Sequence, residues 1–234
     1  MNSELKYQLY ESRWAVLIYY TVVVLITIFL GGGGGREMTS AIFLFVVGLN
    51  SFKSTFYFFL ANGRSRKRLF TSTVKSTLIL CAGMAVVDLL FSMLCYYVDQ
   101  NNLMIFGALY APYAEGVITT RVWLESLPWT MLLYCAACLL GLVITLLYYR
   151  MNKEGRIAVS VGVPVLLFAI YPYVDARFFN MRITNGLMDF TGKIMGTGNG
   201  SINPYLGMLT LAILSLILAS IVYLLMRRTV LKGK

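Results

Sequence analysis

The chain has 234 residues, 59% of them apolar and 13% charged, with a formal net charge of +10 and no histidine. Soluble domains average roughly 45–50% apolar and 25% charged residues, so this composition excludes an ordinary soluble globule. The missing imidazole excludes Ser-His-Asp and Cys-His nucleophile sets, histidine-ligated metals and the usual neutral-pH proton shuttle.

Crossing a bilayer core takes about 20 apolar residues in a helix, and the apolar residues fall into blocks of that size. The pattern predicts an all-α integral membrane protein, a single transmembrane unit over 1–234 with six transmembrane helices. Residues 1–13 alternate in polarity, with Leu5 and Leu9 four apart and Trp14 following, which predicts an N-terminal amphipathic helix in the membrane interface. Glu4, Glu11 and the lack of a small-residue cleavage pattern argue against a cleavable signal peptide. A first span over 14–30 ends at the glycines of 31–35, which read as a flexible turn. No Lys-Ser or Lys-Thr follows them, so a phosphate-cradling loop is not supported.

The second span, 37–55, is wholly apolar from Ala41 to Leu49 and then changes character. Asn50, Ser51 and Lys53 interrupt it while Phe52, Phe56, Phe59 and Leu60 keep helical spacing. This predicts a helix that leaves the hydrocarbon and continues as an amphipathic extension, ended by Asn62-Gly63. Residues 56–73 form a cytoplasmic region carrying the basic cluster Arg64, Arg66, Lys67 and Arg68.

Further spans are expected over 74–98, 127–149 with Pro128 in the first turn, 157–174 with Pro164 and Pro172, and 204–226. The links 99–126 and 175–203 are polar and extracytoplasmic in this scheme. In the second link, Gly192, Gly196, Gly198 and Gly200 are expected to break any regular helix, and its glycine-rich part suits an exofacial gate. Fourteen basic residues fall on the side of the termini and of the second and fourth connections, against five on the other. Both termini are therefore expected in the cytoplasm. The same distribution assigns the basic residues to lipid head groups and argues against nucleic-acid binding.

Asp88 lies inside the span expected over 74–98, where a charge costs at least about 2.5–3.5 kcal/mol. It reads as a substrate-path or gating residue, or as a structural partner of Lys53 or of Ser and Tyr hydroxyls. Cys81, Cys95, Cys135 and Cys138 lie in apolar runs and read as packing residues, the CxxC of the last two included. Ala137 and Gly141, like Ser215 and Ala219, set small residues four apart and permit close helix approach.

The stretch SFKSTFYFFLANGRSRKRLF, from 51 to 70, resembles the first cytoplasmic connection of small ABC-2-type (type V-like) exporter permeases, and the order of spans is similar too. Size and character resemble most the permeases of phenol-soluble modulin and bacteriocin-type peptide exporters. The resemblance implies a non-catalytic permease subunit in a bacterial cytoplasmic membrane. Its partners would be an ABC ATPase subunit that binds ATP and Mg, a second permease subunit in a homodimer or heterodimer, and an amphipathic substrate. The chain itself would hold no cofactor and no metal.

In that family this connection is the coupling helix. The implied ATPase contacts are Phe56, Phe59, Leu60, Asn62, Gly63, Arg64, Ser65, Arg66, Lys67, Arg68, Leu69 and Phe70. Arg150, Lys153 and Glu154 supply a secondary cytoplasmic contact. The link before the last span dips back into the membrane in related permeases, which this composition permits without requiring. An ion-coupled secondary transporter or channel is the leading alternative, and an assembly or immunity protein a further one.

Overall fold

A computed structural model describes residues 3–30, 35–61, 63, 65–98, 104–111, 113, 119–198 and 202–228, with side chains for all of these but 3, 4, 30, 52–61, 98 and 228. Among the described residues the chain is all helix and has no strand. The helices are α1 (Ser3–Leu30), α2 (Arg36–Ala61), α3 (Arg66–Val98), α4 (Ile105–Leu109), α5 (Thr120–Arg150), α6 (Lys153–Val165), α7 (Tyr171–Phe178), α8 (Arg182–Met195) and α9 (Pro204–Arg228). A π-helical stretch, Leu166–Ile170, joins α6 to α7 without a break. Five helical stretches of the described residues are long and apolar enough to cross a membrane: Leu5–Phe29, Arg66–Tyr97, Thr120–Arg150, Lys153–Phe178 and Pro204–Arg227. The protein is a multi-pass membrane protein.

Side-chain pairings fix how the helices run. Gln8 meets Thr73 and Tyr20 meets Asp88, so α1 and α3 are parallel. Arg36 meets Ser92, whereas Leu44 and Ala41 pack with Cys81 and Ala85, so α2 runs against α3. Thr145 donates to the Leu49 carbonyl at 2.7 Å, and Tyr134 packs with Ala41, so α2 and α5 run the same way. Trp129 packs on Leu211, and Leu146 packs on Met226, so α9 is parallel to both.

The centre of the bundle is the seam between α2 and α5. Gly48 and Gly141 bring the two backbones together. A Cβ at Gly48 would strike the Cys138 carbonyl oxygen, and one at Gly141 would strike the Phe45 carbonyl oxygen. Lipid tails are as apolar as leucine, so helices in a bilayer associate through close packing rather than through hydrophobic exclusion. Around this seam sit Leu44, Cys81, Met84, Ala85, Tyr134, Cys135 and Cys138, all buried. Cys81, Cys135 and Cys138 are free and buried in this packing.

Several helix boundaries differ from the sequence-based expectation. The stretch 1–13 is not set apart: α1 runs unbroken from Ser3 through Trp14 to Leu30. The helix expected from 127 starts at Thr120, so Pro128 lies more than two turns inside it and forgoes the bond to the Leu124 carbonyl. The span expected to stop near Pro172 continues to Phe178. A proline ring clashes with the carbonyl four residues earlier, here that of Phe168, and the wider π turn at Leu166–Ile170 relieves that clash.

The link 175–203 is largely helical rather than broken. α8 accommodates Gly186 and Gly192 and stops at Gly196, whose φ of +74° ends the helix in a left-handed turn. Its other end is held by Asp175. That carboxylate accepts the Ile183 and Thr184 amides at 3.1 and 2.9 Å and the Thr184 hydroxyl, satisfying donors that a helix start leaves open.

Candidate functional site: a basic hairpin and a buried polar network

Two regions carry polar chemistry. The first is the turn between α2 and α3. From Leu49, level with Thr145, α2 continues twelve residues to Ala61, about 18 Å at 1.5 Å per residue, whereas α5 ends five residues beyond Thr145 at Arg150. α2 thus outruns its neighbour by about 10 Å. Gly63 turns the chain at φ +70°. Ser65 then starts α3: its hydroxyl accepts the Arg68 amide at 3.4 Å and its carbonyl accepts the Leu69 amide at 3.1 Å.

The first turn of α3 is Arg66-Lys67-Arg68, with no acidic residue. Cations at a helix start oppose its partial positive charge, so this sequence costs local stability. Lys67 and Arg68 are exposed. Arg66 has a structural task, donating to the Arg227 carbonyl at the far end of α9 at 2.6 Å.

Leu69 and Phe70, expected among the docking residues, pack against other helices of the bundle. Leu69 is buried in the cluster that holds Leu146, Val222 and Met226, and Phe70 meets Tyr223 edge to face. Both hold α3 against the bundle. Phe56, Phe59 and Leu60 belong to the backbone of α2, but their side chains lie outside the described part, as do Asn62 and Arg64 altogether. Arg150, Lys153 and Glu154 sit on the turn from α5 to α6, which Arg156 fixes by donating to the Tyr148 carbonyl at 2.9 Å.

The second region lies between α1, α2, α3 and α5. Asp88, 2% exposed, accepts the Tyr20 hydroxyl at 3.0 Å and the Tyr134 hydroxyl. Ser40 and Tyr19 share a hydroxyl contact of 2.7 Å beside them. Towards the α2 start, Arg36 reaches Ser92 at 3.1 Å and Cys95 at 2.9 Å and lies over the Phe91 ring. Glu37, 3% exposed, accepts from Ser92 at 3.4 Å and from the Ile105 amide at 3.5 Å.

Of the two structural partners expected for Asp88, the Tyr and Ser hydroxyls are the ones found. Lys53 is attached to α2 thirteen residues beyond Ser40, about 20 Å down the axis. Sequence reasoning did not single out Arg36 and Glu37. Arg-Glu at the start of an apolar block is the one signal that was available.

Beside this network, Phe43, whose ring stacks on that of Tyr19 at 4.4 Å, lines a cavity of about 240 Å³. Its wall is apolar on Phe43, Val47 and Leu142 and polar on Gln8, Ser76 and Asn50. At the opposite end of the bundle, an aromatic cluster of Phe106, Tyr110 and Trp129 packs over α5 and α9. Tyr110 donates to the Met195 carbonyl at 2.7 Å, tying α8 to this cluster, and burial pushes its hydroxyl above the ordinary tyrosine value. Tyr205 donates to Glu125 at 2.7 Å, and Glu125 pairs with Arg121 at 2.8 Å, which ties the start of α9 to α5.

Comparison with known protein families, curated proteins and solved structures finds no match to this chain. The class that fold and site define is a multi-pass helical membrane protein with a polar interior.

Proposed function

We propose that the chain is the permease subunit of an ATP-driven exporter of the ABC-2 type, non-catalytic itself, in a bacterial cytoplasmic membrane with both termini inside. α2 would complete a set of six spans. A separate ATPase subunit would bind ATP and Mg, a second permease subunit would complete the pathway, and the cargo would be amphipathic, a peptide toxin or antimicrobial peptide.

The observation that carries this reading is the α2–α3 hairpin. Only the four residues 62–65 separate its two helices, α2 outruns its neighbour α5, and Lys67 and Arg68 are exposed at the start of α3. Rigid-body motion passes through such an element better than through a slack loop. The cations in the first turn of α3 cost stability there, which fits selection for an acidic partner. The cavity of mixed polarity beside α1 suits an amphipathic cargo.

Charge reversal tests this. Arg64→Glu, Lys67→Glu and Arg68→Glu together should leave the chain in the membrane and detach the ATPase in a pull-down; retention of the ATPase would remove the hairpin from the coupling role. Arg66 is left intact because it holds α9.

An ion-coupled transporter is the second reading, favoured by the meeting of Arg36, Glu37 and Asp88 inside the bundle. Cargo movement by the purified chain alone, driven by an ion gradient, would select it over the first.

A further inference from the structure

We infer that Asp88 and Glu37 share one bound proton in the membrane interior. The argument is one of charge. Both carboxyls are almost fully removed from solvent, at 2% and 3% exposure. The cation near them among the described residues is Arg36, itself 7% exposed. Fully ionised, the group would hold a net negative charge in a medium that does not solvate it, and a buried charge needs a partner.

The groups that face the pair are named from each packed helix. α1 brings Tyr19 and Tyr20, α2 brings Arg36 and Ser40, α3 brings Ser92 and Cys95, and α5 brings Tyr134. Apart from Arg36 these are hydroxyls and a thiol, which orient a proton but do not cancel a charge. One proton on either carboxyl brings the group to neutrality, and its location is a property of the pair.

Ser92 stands between the two halves. Its hydroxyl donates to Glu37, accepts from Arg36, and sits one helical turn from Asp88. A second observation points to a small polar ligand here. Arg36 Nε is buried and has no hydrogen-bond partner among the described residues. A water molecule carrying the proton in would offer it a lone pair.

This site needs neither the ATPase nor an ion gradient, so it stands apart from both functional readings. Its test reads protonation directly and leaves ATPase retention untouched. The purified full-length chain, in lipid, is titrated from pH 5 to 9 while infrared absorption of protonated carboxyl groups is followed. At pH 7 the wild type should show a carboxylic-acid band from a water-poor site, lost only at alkaline pH.

Asp88→Asn or Glu37→Gln should remove that band or shift it, and the double variant should remove it. Asp175→Asn, outside the pair, should leave it in place. A wild type with no such band at pH 7 would overturn the inference, as would a band that survives the double variant. Sodium-dependent thermal stabilisation without a carboxylic-acid band would overturn it too, in favour of a metal cation. If a single variant melts early, the wild-type band and its alkaline loss still decide the matter.

Discussion

The helix α5, packed in the α2–α5 seam, and the stretch Lys153–Phe178 are both apolar and of membrane-crossing length, yet they are held in opposite ways. At the seam, two glycines admit backbone against backbone, and buried residues crowd around them. Along Lys153–Phe178, no residue of the most apolar window is buried, and large side chains such as Phe168 and Ile157 stand exposed. Hydrophobicity does not separate them, since both are apolar enough to span. The difference is in small residues and complementary shape, which is what drives association once both helices are in lipid.

Three substitutions bear on that contrast. Gly48→Leu should have the largest effect: the added side chain meets the Cys138 backbone, which has nowhere to move. Overpacking of this kind costs about 1–3 kcal/mol or more. A fall of many degrees in the melting midpoint in detergent would check it, and an unchanged midpoint would mean the seam is loose. Asp175→Ala should fall in between, because it strips three hydrogen bonds from the start of α8 without touching the bundle. Faster proteolysis between 178 and 182, with a small change in midpoint, is the expected outcome. Val161→Ala should do least, within about 0.5 kcal/mol, as surface substitutions usually do. A large loss of stability in the isolated chain would show that this helix is packed after all.

The same contrast explains what sequence could and could not convey. Apolar blocks are a property of composition along the chain, so the all-helical membrane architecture was legible. So was the helix end at Gly63, whose φ of +70° is the conformation that Asn-Gly signals. Gly141 was visible as half of a small-residue pair with Ala137, but its true neighbours, Phe45 and Gly48, are on another helix. Nothing local distinguishes Gly48 from a glycine facing lipid.

Glu37 and Ser92 are 55 positions apart, and Glu37 and the Ile105 amide 68 apart, so the polar network exists only after folding. The helix α8 was hidden by its glycines. Their cost in a helix, about 1 kcal/mol each, is offset by the Asp175 cap at one end and the Gly196 turn at the other. Pro172 misled for a related reason, since a widened turn absorbs the clash that a proline otherwise causes.

The arrangement of Lys153–Phe178 has a mechanical consequence. It is pinned at one end where Tyr148 meets Ser160 and Arg156 grips the end of α5, and at the other where Asp175 clasps α8. A rod pinned at its two tips and unglued along its shaft can lean when the bilayer thins or thickens, at little expense to the remaining bundle. Its tilt would then register the thickness of the surrounding lipid, while the glycine seam keeps its own spacing.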